Sequence, residues 1–191
     1  MSKHPLFFVP LVFMLSYATA QAAAVDLPET GQTSCTDNAG LGIACANTGQ
    51  DGDFKAGVAW PDPRFVAGSG AEVDCVTDKL TGLMWVRAPS VVAGNWTSAL
   101  ASANDLTLCG FSDWRLPNVI ELESMLNGEA ANTSTYLNSQ GFSGVTAGTY
   151  WSSTSWTGNA VYAYTVNLNE GYLFALTKTD SYYIWPVRAG Q

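Results

Sequence analysis

The sequence predicts an α+β domain in which two central helices pack on antiparallel strands and a C-terminal β-meander closes the chain. Three observations carry this. β-Prone runs with alternating apolar residues flank the centre, two capped amphipathic stretches lie between them, and no strand–helix–strand repeat is present.

Residues 23–70 read as a leader of loops and short hairpins, rich in Gly, Asp, Pro and Thr, and residues 71–191 as the domain proper. Within the leader, Leu27-Pro28-Glu29-Thr30-Gly31 matches the wall-sorting pattern letter for letter, but it does not stand ahead of an apolar C-terminal tail. Asp51-Gly52-Asp53 offers carboxylates that a hard cation would accept. The distal glutamate of a helix–loop–helix calcium site is missing, so a solvated acidic turn is expected.

From residue 73 the pattern tightens. Val73–Thr77 and Gly82–Val86 are β-prone, with Asp78–Gly82 as the turn between them. A helix is expected from Thr97 to about Leu106, starting near Asn95 or Trp96, with Ala99, Leu100 and Ala103 on one face. The second helix is better marked: Asn118 can cap it, and Glu121 can reach back to the N–H of Asn118. Val119, Leu122, Met125 and Leu126 form its apolar stripe. Beyond Asn127 a polar stretch leads to Tyr150. A strand over Val161–Leu168 then places Tyr162, Tyr164, Val166 and Leu168 on one face, Asn169-Glu170-Gly171 turns, Tyr172–Leu176 returns, and Tyr182–Val187 closes.

Residues 1–22 have the form of a cleavable secretory signal: Lys3, an apolar run from Leu6 to Leu15 too short to span a bilayer, then small residues of A-x-A type ending at Ala22. Cleavage would leave about 170 residues, enough for one domain with a core, and no membrane span in the mature chain. It would also remove His4, the only histidine, which deletes Ser-His-Asp, Cys-His and histidine-ligated metal chemistry together. No metal or cofactor is therefore expected. Seven basic side chains would then face sixteen acidic ones, a balance that argues against nucleic acid or sulfated polymers as partners.

Cys35, Cys45, Cys75 and Cys109 are an even set that exported proteins oxidise. Three pairings are open to four cysteines. The Asp37-Asn38-Ala39-Gly40 turn favours Cys35 with Cys45, which leaves Cys75 with Cys109.

Four segments stand in one order: Val76-Thr77-Asp78 with Thr81-Gly82-Leu83-Met84-Trp85; Asp113-Trp114-Arg115-Leu116-Pro117-Asn118 with Glu121-Leu122; Tyr150-Trp151-Ser152-Ser153-Thr154; and Tyr183 with Val187-Arg188. Together they resemble the C-terminal domain of the Legionella collagen-like adhesin over about residues 74–188. The resemblance implies a C-type-lectin-like fold and a bacterial protein exported to the periplasm or beyond. It departs at the adhesin's preference for sulfated glycans, because Lys55, Arg64, Lys79, Arg87, Arg115, Lys178 and Arg188 are scattered, and the sugar motifs of calcium-dependent lectins are absent.

The expected function is a lectin-like binding module for a glycan or an envelope protein, with a non-catalytic part in an envelope assembly as the alternative. A third design, a two-carboxylate glycosidase, needs neither His nor Cys. No catalytic residue is assigned. Ligand-binding candidates are Trp151, Trp156, Tyr162 and Tyr172, whose rings could stack on sugars or anchor an interface. Asp113, Trp114, Arg115, Asn118 and Glu121 are expected to be structural, with Asp113 and Arg115 satisfying backbone groups and each other.

Overall fold

The computed structural model describes residues 27–190, so the expected signal peptide lies outside the described residues. The chain enters through a two-stranded ribbon, β1 (Cys35–Thr36) and β2 (Gly42–Ile43). Asp37 turns this ribbon, its Oδ1 accepting the N–H groups of Ala39 and Leu41, and the Cys35–Cys45 bridge closes it. The Asp51-Gly52-Asp53 segment, expected as a solvated acidic turn, is a single helical turn, α1 (Asp51–Phe54). Gly52 lets this turn pack against the Ser34 carbonyl and Cys35 Sγ, where a Cβ would overlap the backbone.

β3 (Phe65–Ala67) leads to β4 (Cys75–Asp78), the Asp78–Gly82 turn and β5 (Leu83–Val86). Asp78 builds that turn by accepting the Leu80 N–H and the Thr81 hydroxyl, and Gly82 takes the positive φ of 71° that ends it. β6 (Ser90–Gly94), which the sequence reading did not anticipate, precedes α2 (Trp96–Asn104). Asn95 caps α2 by accepting the Ser98 N–H, and Ala99 and Ala103 are its buried face.

The capping box at Asn118 and Glu121 is present, but α3 (Val119–Glu123) is only five residues long. Met125 and Leu126 lie past its end. Leu122 and Met125 are nonetheless fully buried, so the stripe reached the core by a turn rather than by a longer helix. A further helix, α4 (Thr133–Ser139), occupies part of the polar stretch between Asn127 and Tyr150. Asn132 caps it through Thr135 N–H, and Leu137 alone among its large side chains is fully buried.

β7 (Thr149–Ser155), β8 (Tyr162–Asn167) and β9 (Tyr172–Thr177) form the meander. The expected closing strand is two strands, β10 (Tyr182–Ile184) and β11 (Val187–Ala189), broken at Trp185-Pro186, where proline supplies no N–H to a ladder. β10 joins a five-stranded sheet of order β6-β10-β7-β8-β9, whereas β11 joins a four-stranded sheet of order β11-β5-β4-β3. Among the strands of these two sheets, all pairings are antiparallel except β10 with β7. The arrangement is α+β, and β3, from within the leader, is the last strand of the second sheet.

The break at Trp185 also places the main core. Trp85, Tyr150 and Phe142 surround the Trp185 ring at centroid distances of 5.2 to 5.6 Å, and its Nε1–H donates to Val86 O at 2.7 Å. Leu122, Met125, Leu137 and Val166 complete this core. A smaller one packs Ala99 and Ala103 of α2 against Trp151, Ala163 and Ile184. Both faces of β8 are therefore covered: Val166 and Leu168 on the expected face and Ala163 and Thr165 on the other are fully buried, while Tyr162 and Tyr164 are only half-buried. Among the described residues, no helix is long and apolar enough to cross a membrane.

Candidate functional site

The Asp113–Glu121 motif is a clamp between elements. Arg115 and Val187 exchange backbone hydrogen bonds of 3.0 and 2.9 Å, which brings Arg188 alongside Asp113. Asp113 then pairs with Arg188 at 2.7 and 3.2 Å, and Arg115 pairs with Glu121 at 2.7 and 2.6 Å. The expectation that Asp113 and Arg115 satisfy each other is thus corrected, because each finds its partner on a different element. The hydrogen bond from Arg188 holds the Asp113 carboxyl below the usual range. Burial pushes Glu121 up, but Arg115 and the Asn118 N–H outweigh it and leave Glu121 lowered. Trp114 is buried in the main core and its Nε1–H donates to Leu108 O at 3.2 Å.

The Tyr150–Thr154 segment is equally occupied. Trp151 is 0% exposed and its Nε1–H donates to Gly94 O at 2.8 Å, so it belongs to the core and cannot present a ligand surface. Its β7 position turns it toward α2, which the sequence pattern could not distinguish from the open side. Ser152 Oγ donates to Tyr164 O, Ser153 N–H to Pro117 O, and Thr154 Oγ1 accepts the Val119 N–H.

The other three candidates are accessible but do not form one site. Trp156, 37% exposed, meets Tyr162 edge-on at 5.7 Å, with Gly158 close beneath its ring. Tyr172, 58% exposed, lies near Phe174 at 6.0 Å. Tyr162 is opposite Thr177 and Tyr172 opposite Asn167, so the pairs sit at opposite ends of the hairpin, about 17 Å apart at the usual strand rise.

A better-shaped site lies where the leader meets α3. There Glu29 N–H donates to Val58 O and Val58 N–H to Leu27 O, which folds the chain back and sets Trp60 as a wall. The Trp60 Nε1–H donates to Glu29 O at 2.7 Å. Behind the indole, 4.4 Å from its centroid, lies the guanidinium of Arg64, itself buried and bidentate on Asp78 at 2.9 and 2.8 Å. A third Arg64 bond, 2.7 Å, goes to Ser124 O beyond α3. Facing Trp60 across a cleft of about 350 Å³ are Leu80, Ile120, Glu123 and Leu126, with Glu29 and Thr30 on the leader side.

Two further ties hold the leader in place. Glu129 accepts the N–H groups of Thr33 and Ser34 at 2.7 and 2.9 Å, which lowers its pKa, and Gly128 N–H donates to Thr30 O. The cleft offers an aromatic wall and aliphatic surface, with Glu29 and Glu123 among its lining residues. Sequence reasoning missed it, although a tryptophan in a stretch otherwise poor in apolar residues was the signal available. Among the described residues, no group of three His, Cys, Asp or Glu side chains is placed to hold a metal ion.

A family model described as the Lcl C-terminal domain matches residues 74–188. The chain belongs to the Lcl C-terminal domain family. A search of curated proteins gave no match. The span matched to the Lcl C-terminal domain starts at β4 and ends at Arg188, and so contains both ion pairs of the clamp and the Cys75–Cys109 bridge. It excludes Trp60, Glu29 and β3. One wall of the cleft is therefore built by residues outside the Lcl C-terminal domain, and the other by residues within it. Family membership indicates an adhesin-like surface module.

Proposed function

We propose that this chain is an exported, non-enzymatic, lectin-like module that binds a neutral or amino-bearing glycan in the cleft at Trp60. The observation that carries the reading is the indole held at its edge by the bond to Glu29 O and on one face by Arg64, beside a cleft large enough for one or two sugar rings. The C–H face of a sugar stacks on such a ring at little entropic cost, because the ring is already fixed. Glu29 and Glu123 would accept hydrogen bonds from hydroxyl or ammonium groups. A net charge of −8 supports uncharged or cationic sugars over sulfated ones. Export to the periplasm or the cell surface is supported by two disulfides, which persist in oxidising compartments.

The test is a glycan array followed by titration of a hit against intrinsic tryptophan fluorescence. Trp60→Ala should weaken binding at least tenfold, the loss expected when about 1.4 kcal/mol or more of stacking is removed. No binding above background, or equal binding by the variant, would remove the reading. Hydrolysis of a bound oligosaccharide, abolished by Glu123→Gln, would instead make Glu29 and Glu123 a catalytic pair.

A second reading, a structural part in an envelope assembly, is favoured by one observation: Tyr172, Leu173 and Phe174 are exposed together on β9.

A further inference from the structure

A second hollow, of about 250 Å³, lies beside the Trp60 cleft and shares Leu126 and Gly128 with it. The rest of its lining comes from the connection between α3 and α4, from Thr133, and from the turn between β8 and β9. Where the first cleft is walled by an indole and aliphatic side chains, this one is mostly polar.

Two of its polar groups are left unanswered. Thr133 is only 4% exposed, and among the described residues nothing hydrogen-bonds its hydroxyl. A hydroxyl held that deep is costly unless something meets it, and this one is not sealed in, because Thr133 lines the hollow. The Asn169 side chain is engaged on one side alone. Its Oδ1 accepts the Asn132 Nδ2–H at 2.6 Å, which leaves its own Nδ2 a donor without a partner among the described residues. Ala130 and Ala131 add small apolar surface to the same lining.

We propose that this hollow is a second subsite of the Trp60 cleft and takes the acetamido group of a 2-acetamido sugar, so that the ligand is an N-acetylhexosamine oligosaccharide lying across Leu126 and Gly128. The inference rests on the glycan reading of the Trp60 cleft and narrows it from neutral or amino-bearing sugars to N-acetylated ones. An acetamido group answers each unmet feature of the hollow. Its carbonyl accepts from Asn169 Nδ2, its N–H donates to Thr133 Oγ1, and its methyl lies on the alanine surface. A hydroxyl in its place would meet one of the two polar groups and leave the alanines facing water, and a site built to hydrogen-bond a substituent rejects the analogue that lacks it. No lysine or arginine lines either hollow, which sets aside carboxylated and sulfated sugars and leaves a neutral substituent. One ring thus stacks on Trp60 while a neighbouring ring is read by hydrogen bonds.

Calorimetric titration of the full chain with β-1,4-linked tetramers of N-acetylglucosamine and of glucose tests this, because the two differ only at the acetamido position. Wild type should bind the N-acetylglucosamine tetramer about tenfold tighter, the discrimination that two neutral hydrogen bonds supply. Thr133→Val keeps the side-chain shape and removes the hydroxyl. Asn169→Asp keeps the acceptor for Asn132 and removes the donor. Each variant should melt near the wild-type temperature, lower the preference about threefold or more, and leave the affinity for the glucose tetramer within about twofold. Equal binding of the two tetramers, a preference that survives both substitutions, or binding of neither by a chain that takes another glycan from the array would each overturn this inference and leave the Trp60 reading standing. Failure to bind any glycan would remove the Trp60 reading itself, and this subsite with it.

Discussion

Arg64 and Asp78 are 3% and 0% exposed, a depth at which an unpaired charge costs several kcal/mol. Asp78 answers Arg64 twice and also accepts from Leu80 and Thr81, so one carboxylate fixes both the β4–β5 turn and the support behind Trp60. Asp78→Asn should therefore cost about 3 to 5 kcal/mol, read from urea unfolding, and weaken any ligand at Trp60 with it. A loss under about 1 kcal/mol would show that Arg64 is held by other means. Asn118→Ala removes one side of a capping box and should cost about 1 kcal/mol in the same measurement. Acid acts on the clamps. Glu129 and Asp113 both titrate below their ordinary values of 4.5 and 3.8, the first because of the Thr33 and Ser34 N–H groups, the second because of Arg188. A carboxylate lowered by folding stabilises fully above its ordinary value and loses that contribution as pH falls through the folded one. Amide exchange at Thr33 and Ser34 should accordingly quicken as pH drops below about 4.5, after correction for the intrinsic pH dependence of exchange, and unchanged protection there would contradict the role of Glu129.

At the scale of elements, the Cys75–Cys109 bridge joins β4 to the Leu108–Phe111 turn across 34 positions, and Cys35–Cys45 closes 10. Chain-entropy arguments give about 4 kcal/mol for the first and about 3 kcal/mol for the second. Replacing Cys75 and Cys109 by alanine should lower the melting temperature more than replacing Cys35 and Cys45; the reverse order would mean that leader closure matters more than loop length. Both pairings were legible because a turn between Cys35 and Cys45 settled the first. The capping box and α2 were legible for a similar reason, since caps act on neighbours in sequence. What escaped depended on distant residues. Nothing near Thr133–Ser139 marks a helix except Asn132, and its one fully buried large side chain, Leu137, gives no periodic stripe. Trp151 looked like a surface ring because strand alternation says which residues share a face, not which face the helix covers. The switch of sheets at Trp185-Pro186 likewise follows from the Trp185 pocket, formed by residues 35 to 100 positions away.

Across the whole molecule, the leader is part of the architecture. β3 pairs with β4, Arg64 crosses to Ser124, Glu129 holds Thr33 and Ser34, and Gly128 holds Thr30. These ties set Trp60 opposite α3 and make a cleft that the matched family span cannot form alone. A chain truncated before residue 71 should thus be less stable and should lose the ligand even where it folds, with circular dichroism separating the two effects. The measurement that tests the account most directly is titration of an array-selected neutral or amino glycan into wild type and Trp60→Ala. The account predicts saturable binding by the first, at least tenfold weaker binding by the second, and no change on substituting Trp156 or Tyr172. Binding that survives Trp60→Ala and is lost with Trp156 or Tyr172 would contradict it and move the site to the β8–β9 hairpin.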